Sequence, residues 1–295
     1  MNLKNSYHPY AAITIVFWSM AFVFTRLALR TFTVFSLGLW RYVAASAVLL
    51  IVAFATRMKL PKRKDLPWFL LAGAAGFAVY MVVFNLGSRQ VSASTGSVML
   101  ATTPILTALL ARILYKEKLK PVQYAAIGVA FLGVVTLTVL QGGFTANAGI
   151  LYMLGSALLV AIYNLLQRRL TKTYTALQST AFSIFIGTLM LCVFLPGGVA
   201  ELRVAPPSAL LYVLILGVFS SAVAYCAWAK ALSLAKNTSS VSNYMFVTPF
   251  LTTLLGLWIA GEPVELPTVA GGALIIIGLL LFRFGERLFT RKRRA

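Results

Sequence analysis

Ten stretches of this chain are apolar over about 20 residues each, the length at which an α-helix crosses about 30 Å of hydrocarbon. Of the 295 residues, 60% are hydrophobic and 11% are charged. Because backbone polar groups inside a bilayer must be satisfied within each segment, the stretches predict helices. The sequence therefore predicts an all-α polytopic membrane protein with ten transmembrane helices, at 10–30, 34–55, 67–88, 92–115, 121–140, 148–169, 175–196, 208–232, 238–260 and 265–285.

The net charge of +20 is distributed so unevenly that it predicts a topology and not a nucleic-acid partner. With the N-terminus in the cytoplasm, 21 of the 26 Lys and Arg residues fall on the inside and three fall outside. The remaining two, Arg26 and Arg41, lie within spans. Since Lys and Arg accumulate in cytoplasmic loops, both termini are predicted to be cytoplasmic, with the basic tail against anionic lipid headgroups.

The chain contains an internal repeat. Residues 103–110, Thr-Pro-Ile-Leu-Thr-Ala-Leu-Leu, return at 248–255 as Thr-Pro-Phe-Leu-Thr-Thr-Leu-Leu, an offset of 248 − 103 = 145. The same offset superposes five further identical residues: Tyr80 on Tyr225, Ser88 on Ser233, Ser97 on Ser242, Glu117 on Glu262 and Gly133 on Gly278. The repeat predicts two five-helix halves, 1–144 and 145–295. Because five is odd, the second half must be inverted in the membrane, which permits alternating access.

Groups that could perform catalysis are scarce. Asp65 is the single Asp, in a basic cytoplasmic loop, and His8 is the single His, before the first span. Neither a catalytic dyad or triad nor a metal site can be assembled from them, and Cys192 and Cys226 are predicted to be packing residues. The sequence predicts no enzyme, no cofactor and no metal. The expected partners are a small-molecule substrate and the lipid bilayer, with the protein a monomer or a weak homo-oligomer.

The fourth and ninth spans share a run of small polar residues that leads into a proline, Pro104 or Pro249. A proline within a span removes a backbone donor and loosens the helix, and neighbouring Ser and Thr hydroxyls can satisfy the freed carbonyl. Helix spacing places Thr95 and Met99 on one face of the fourth span. The alternative is that the small residues only allow close helix packing. The candidate substrate contacts in these spans are Thr95, Met99, Asn243 and Tyr244.

Aromatic side chains occupy matching faces of the third and eighth spans. Tyr80 and Phe84 are four residues apart, and Tyr225 and Trp228 are three apart, so each pair shares a helix face. If these faces meet the fourth and ninth spans, they enclose an aromatic cavity suited to a small solute with an apolar body. The alternative is an interfacial aromatic belt. Four residues of the first and sixth spans complete the predicted cavity: Trp18, Phe22, Tyr163 and Asn164.

Arg41 lies about seven residues into the second span, hence about 10 Å below the outer surface at 1.5 Å per residue. A charge at that depth is costly and needs a partner. Two interpretations are open. The favoured one is that the side chain snorkels outward or contacts helix carbonyls, and the other is that it contacts a substrate carboxylate.

The ten spans, the polar runs that lead into Thr-Pro, and the Glu that follows each run resemble the drug/metabolite transporter superfamily, specifically its EamA-type exporters. The resemblance covers essentially the whole chain and is strongest over 80–140 and 225–280. It implies a multi-pass exporter of the bacterial inner membrane that carries amino acids or related metabolites, most similar to the aromatic amino-acid exporters. The shared pattern transfers to four structural or hinge residues: Pro104, Glu117, Pro249 and Glu262.

Glu117 and Glu262 each end a span, where a carboxylate can cap the following helix or pair with a local Lys. No Asp or Glu lies in the middle of a span, where proton-coupled carriers usually keep one. We therefore expect a secondary transporter that works by facilitated diffusion. Two alternatives stay open: a proton-coupled multidrug or metabolite exporter of the same fold, and a passive small-solute channel.

Overall fold

The structure is a computed structural model that describes residues 6–141, 148–234, 241 and 243–292. Within these ranges, the side chains of residues 232, 233, 243 and 286–292 are not described. The described residues are helical and contain no β-strand. Their ten main helices are α1 (His8–Ala28), α2 (Val34–Ala55), α3 (Arg63–Gln90), α4 (Ala93–Tyr115), α5 (Pro121–Leu140), α6 (Ala148–Leu170), α7 (Ala176–Val204), α8 (Pro207–Ala231), α9 (Tyr244–Ala260) and α10 (Leu266–Gly285).

Nine of these helices in the described chain are long and apolar enough to cross a bilayer, and α9 is shorter. The predicted ninth span begins at 238, but residues 235–240 and 242 lie outside the described part. The predicted halves meet at 144 and 145, which also lie outside it. Helix α7 runs to Val204, beyond the predicted end at 196, because Pro196 stands in the first turn of the segment Leu195–Val204, where proline is compatible with a helix.

Hydroxyl side chains begin three of the helices. Thr33 accepts the backbone N–H of Ser36 (3.3 Å) before α2, and Ser92 accepts that of Thr95 (3.2 Å) before α4. Thr175 begins α7 in the same way. Each cap satisfies a backbone donor that has no partner within its own helix. These positions therefore fix where the chain turns back into the bundle.

The two repeated prolines interrupt their helices. In α4 the regular segment Ala93–Leu100 ends, and a second segment, Thr103–Tyr115, begins with Pro104 in its first turn. The Thr103 hydroxyl donates to the Leu100 carbonyl (2.6 Å), which Pro104 leaves without its usual N–H donor. In α9 a tighter 3₁₀ segment, Asn243–Val247, precedes Pro249 in the same way. Both helices thus change geometry at the equivalent point.

Helices α5 and α10 form the most extensive described contact between two helices, and they run antiparallel. A Cβ atom on Gly133 would lie 2.7 Å from the Gly271 carbonyl oxygen, and one on Gly278 would lie 2.7 Å from the Ala130 nitrogen. Distances this short require glycine, so the two backbones approach as closely as small residues allow. Gly133 and Gly278 are equivalent in the repeat and lie in the same interface.

Candidate substrate site at the centre of the bundle

Aromatic rings from α1, α3, α6 and α8 meet at the centre of the bundle. The Trp18 ring lies 5.5 Å from the Tyr225 ring and 5.1 Å from the Trp228 ring, measured between centroids. Phe77 on α3 lies 5.9 Å from Tyr225 and 5.1 Å from Tyr163. The structure therefore brings together four predicted residues, Trp18, Tyr163, Tyr225 and Trp228. Phe77, which was not predicted, connects Tyr163 to Tyr225.

A second set of rings continues this cluster along α1 and α3. Phe84 lies 5.5 Å from Phe22 and 5.5 Å from Tyr80. Phe22 and Phe84 are buried, and Tyr80 is half-buried. Tyr80 and Phe84 were predicted from spacing and Phe22 as a residue that completes the cavity, and the Phe84 ring lies against both of the others. We call the eight rings of Trp18, Phe22, Phe77, Tyr80, Phe84, Tyr163, Tyr225 and Trp228 the aromatic cluster.

Arg41 lies inside the bundle, which contradicts the snorkelling that was favoured from the sequence; the described contacts of its guanidinium do not include a helix carbonyl. Its side chain is buried, with 6% of the residue exposed. The Nε donates to the Ser221 hydroxyl (3.0 Å), and a terminal nitrogen lies 4.0 Å from the Met81 sulfur. The guanidinium also lies 5.8 Å from the centre of the Tyr42 ring. Among the described residues no carboxylate pairs with Arg41.

Close helix packing places α8 directly against the backbone of α2 at Arg41. A Cβ on Gly217 would lie 2.5 Å from the Ala44 Cβ and 2.6 Å from the Arg41 carbonyl oxygen, so only glycine lets α8 lie this close to α2. A Cβ on Gly76 would likewise overlap the Tyr163 ring. Both glycines lie in or beside π-helical turns, Ala74–Ala78 in α3 and Ile215–Val223 in α8. Such turns are frequent at functional sites.

Thr95 and Met99 do not join the aromatic cluster through any described contact. Both are completely buried. The Thr95 hydroxyl bonds to that of Thr268 on α10 (2.6 Å), and Gln141 donates to Thr95 (3.3 Å). These bonds connect α4 to α10, so they support the packing of the helices. The hydroxyl of Thr95 in the fourth span thus supports helix packing.

The polar residues predicted for the sixth and ninth spans lie apart from one another. Asn164 donates to Thr107 on α4 (3.3 Å) and is exposed. Tyr244 shares a short bond with the His8 ring (2.6 Å) at the start of α1, although it also packs in one small cluster with Trp228. The side chain of Asn243 lies outside the described part. Among the described residues, Trp228 connects Tyr244 to the aromatic cluster.

The two repeated glutamates have partners that the sequence analysis did not predict. Glu262 pairs with Arg26 and accepts the Ala93 backbone N–H (2.8 Å), so it caps α4 of the other half and not the helix that follows it. Glu117 pairs with Arg168 (2.6 Å) and not with a nearby Lys. These contacts span 236 and 51 residues. No local sequence pattern could have identified them.

Two surface cavities lie away from the aromatic cluster. One of about 430 Å³ is at the loops beside Lys59 and Tyr174. The other, of about 310 Å³, is at the opposite end, beside Val91, Ser92 and Glu265. At the centre itself the rings pack against each other, and Tyr42, which lies beside Arg41, contacts Phe77 of the aromatic cluster (5.3 Å between centroids). A bundle of apolar helices that holds a buried cation, Arg41, beside aromatic rings is typical of a multi-pass membrane protein with an internal polar site.

The sequence profile of the EamA-like transporter family matches residues 5–139 and 147–284. The chain therefore belongs to this family, within the drug/metabolite transporter superfamily, which confirms the resemblance seen in the sequence. It is 34% identical to the uncharacterized transporter YdfC of Bacillus subtilis, over 91% of this chain and 88% of YdfC. It is 30% identical to a probable terminal-alkyne amino-acid exporter of Streptantibioticus cattleyicolor, over 96% and 94%.

A crystal structure of a protein 18% identical in sequence has a similar fold, with a TM-score of 0.63. The match covers 95% of this chain and 98% of that one. Because the identity is low, this similarity supports the fold alone. The protein is a multi-pass membrane transporter by family.

Proposed function

We propose that the protein is a secondary transporter that exports amino acids, aromatic or otherwise neutral, or related small metabolites across the bacterial inner membrane. Its ten transmembrane helices form two inverted five-helix halves, 1–144 and 145–295, with both termini in the cytoplasm. The antiparallel contact of α5 with α10 supports the inversion, since Gly133 and Gly278 would lie beside the axis that relates the halves. The two halves alternate access to one central site.

The observation that carries the proposed substrate class is Arg41. Placing a cation in a low-dielectric interior costs several kcal/mol unless a counter-charge or several hydrogen bonds compensate it. Ser221 supplies one hydrogen bond, and the Tyr42 ring supplies a weaker attraction. A substrate carboxylate would supply the missing counter-charge. The adjoining rings of the aromatic cluster would contact the apolar part of the substrate.

An amino acid fits this arrangement because it combines a carboxylate with a side chain of variable size. The similarity to a probable terminal-alkyne amino-acid exporter supports the same class. A passive channel fits less well, because it needs a continuous polar pore and the centre is filled with rings. Export by facilitated diffusion is proposed because each described carboxylate already has a hydrogen-bond partner within the protein. These carboxylates are Asp65, Glu117, Glu201, Glu262 and Glu265. A proton-coupled exporter of the same fold is the second candidate.

Uptake of radiolabelled phenylalanine into liposomes that contain only the purified protein tests the proposal. We expect the initial rate to saturate with concentration and to fall when unlabelled tryptophan is added, since both would occupy one site. Protein-free liposomes are the control for leak. A rate that rises linearly without competition would indicate a channel and would contradict the proposed carrier.

A further inference from the structure

Two Arg–Glu ion pairs join the two halves at opposite ends of the bundle. Arg26, near the end of α1, pairs with Glu262, which follows α9. Arg168, near the end of α6, pairs with Glu117, which follows α4. Each pair takes one residue from the first half and one from the second. We call Arg26–Glu262 the outer latch and Glu117–Arg168 the inner latch, after the sides they face in the proposed topology.

The two latches are copies of one pair. The segments that match the family start at 5 and 147 and end at 139 and 284, so their offset is 147 − 5 = 142 at the start and 284 − 139 = 145 at the end. An offset of 142 carries Arg26 onto Arg168, and an offset of 145 carries Glu117 onto Glu262. Each arginine also stands two residues before the end of its helix, at Ala28 or Leu170.

The two copies have different surroundings. In the outer latch the Glu262 side chain is 12% exposed and that of Arg26 is 28% exposed. Glu262 also accepts the Ala93 N–H, and Arg26 donates to the carbonyls of Ser88 (2.9 Å) and Val91. The outer latch therefore connects α1, the α3–α4 turn and the segment after α9 in one network.

The inner latch is much more open. The side chains of Arg168 and Glu117 are 53% and 45% exposed. Their described contacts are one hydrogen bond between them (2.6 Å) and the Tyr115 ring, 5.0 Å from the Arg168 guanidinium. A pair this exposed contributes little to stability, whereas breaking a buried pair leaves an uncompensated charge and costs much more. The same repeated Arg–Glu pair is thus largely buried in the outer latch and exposed in the inner latch.

We propose that the two latches set which side of the central site is open, and that they exchange environments during transport. When two inverted copies exchange conformations, the outer latch becomes exposed and the inner latch becomes buried. The four residues are positioning residues, because they act on the opening of the site and not on the substrate. This inference rests on the proposed alternating access and adds the groups that hold each side closed.

Removing one carboxylate should bias the two states in opposite directions. Glu262→Gln weakens the state in which the outer latch is buried, so it should favour opening to the outside. Glu117→Gln weakens the opposite state, in which the inner latch would be buried, so it should disfavour outside opening. A residue that only stabilises the fold would not give effects of opposite sign. The double variant should return close to the wild-type balance.

The outward opening can be measured with a thiol at position 88. Ser88 is 3% exposed, and its backbone carbonyl accepts a hydrogen bond from Arg26. It lies three residues before Val91, which lines the outer cavity. We would place Ser88→Cys in a background of Cys192→Ala and Cys226→Ala. Labelling by a membrane-impermeant maleimide would then be followed in right-side-out vesicles without substrate.

We expect Glu262→Gln to raise the labelling rate about tenfold and Glu117→Gln to lower it by a similar factor. Arg26→Gln removes the other partner of the outer latch and should raise the labelling rate in the same way. Agreement between the two variants would show that the effect of Glu262→Gln does not come from misfolding. Glu201→Gln is the matched control, because this carboxylate also accepts a backbone N–H at the outer end, that of Thr33 (2.8 Å), and should leave the rate unchanged.

The proposal of latches would be overturned if Glu262→Gln and Glu117→Gln changed the rate in the same direction, or if neither changed it. Labelling without substrate also separates this result from the proposed function. Opposite effects together with non-saturable flux would support the latches and contradict the carrier. Saturable flux without opposite effects would support the carrier and contradict the latches.

Discussion

Replacement of Arg41 by Gln should weaken the binding of a carboxylate substrate while leaving the folded protein at least as stable. The Nε of Arg41 is engaged by Ser221 and one terminal nitrogen has a weak contact with the Met81 sulfur (4.0 Å), so the two terminal nitrogens can still bind a ligand. A hydrogen bond to a charged group contributes about 1.5 to 3 kcal/mol. Two such bonds contribute about 4 kcal/mol in total, and the neutral hydrogen bond that Gln could retain contributes about 1 kcal/mol. The expected loss is therefore about 3 kcal/mol, or about 150-fold in Kd.

The effect on stability should have the opposite sign. Without substrate, Arg41 is a buried cation for which the described residues provide no carboxylate. Substitution by a neutral side chain of smaller size removes its desolvation cost, so the free energy of unfolding should stay the same or increase. An arginine that mainly stabilised the helices would instead lower that free energy when replaced.

Equilibrium binding of phenylalanine and of phenethylamine, which lacks the carboxylate, would measure this effect. The wild-type protein should prefer phenylalanine, and Arg41→Gln should lose most of that preference. Arg89→Gln, at an exposed position, is the control and should behave like wild type. Unchanged affinity for phenylalanine in Arg41→Gln, combined with lower expression, would refute the carboxylate role.

Two further substitutions test the packing around the site. Gly76→Val should lower the free energy of unfolding by about 2 kcal/mol, because the new side chain overlaps Tyr163. Denaturation in mixed micelles would measure this change. Gly128→Val is the control, because a Cβ at that position meets nothing within 4 Å. Trp18→Ala should weaken tryptophan binding about tenfold, as expected for the loss of aromatic contacts in a closed site. Phe131, on α5, is 65% exposed, so Phe131→Ala should leave the binding unchanged. Equal losses of affinity in both variants would contradict the assignment of Trp18 to the substrate site.

The sequence predicted the helices well because lipid leaves the backbone few alternatives. Apolar length fixed the positions of most spans, and the main difference, the longer α7, arose where Pro196 fits the first turn of a helical segment. Spacing on α3 and α8 also predicted which rings face inward. Helix periodicity is sufficient for this purpose, since it orients side chains without reference to distant residues.

The sequence did not predict contacts that depend on the packing of distant helices. The pairing of Arg26 with Glu262 joins residues 236 positions apart, and the close approach of α8 to the backbone at Arg41 depends on Gly217. Thr95 appeared suitable for a substrate site because it is polar and lies within a span. Its hydroxyl instead bonds to Thr268, a partner from the last helix.

We propose a carrier that moves an amino acid through one alternating site without an imposed ion gradient. Counterflow tests it most directly. Liposomes that contain only the protein would be loaded with unlabelled phenylalanine and diluted into a trace of labelled phenylalanine, with equal pH on both sides. We predict a transient accumulation of label above equilibrium, which a carrier produces and a channel does not. Accumulation only when a proton gradient is imposed would contradict facilitated export, and no accumulation under either condition would contradict the carrier itself.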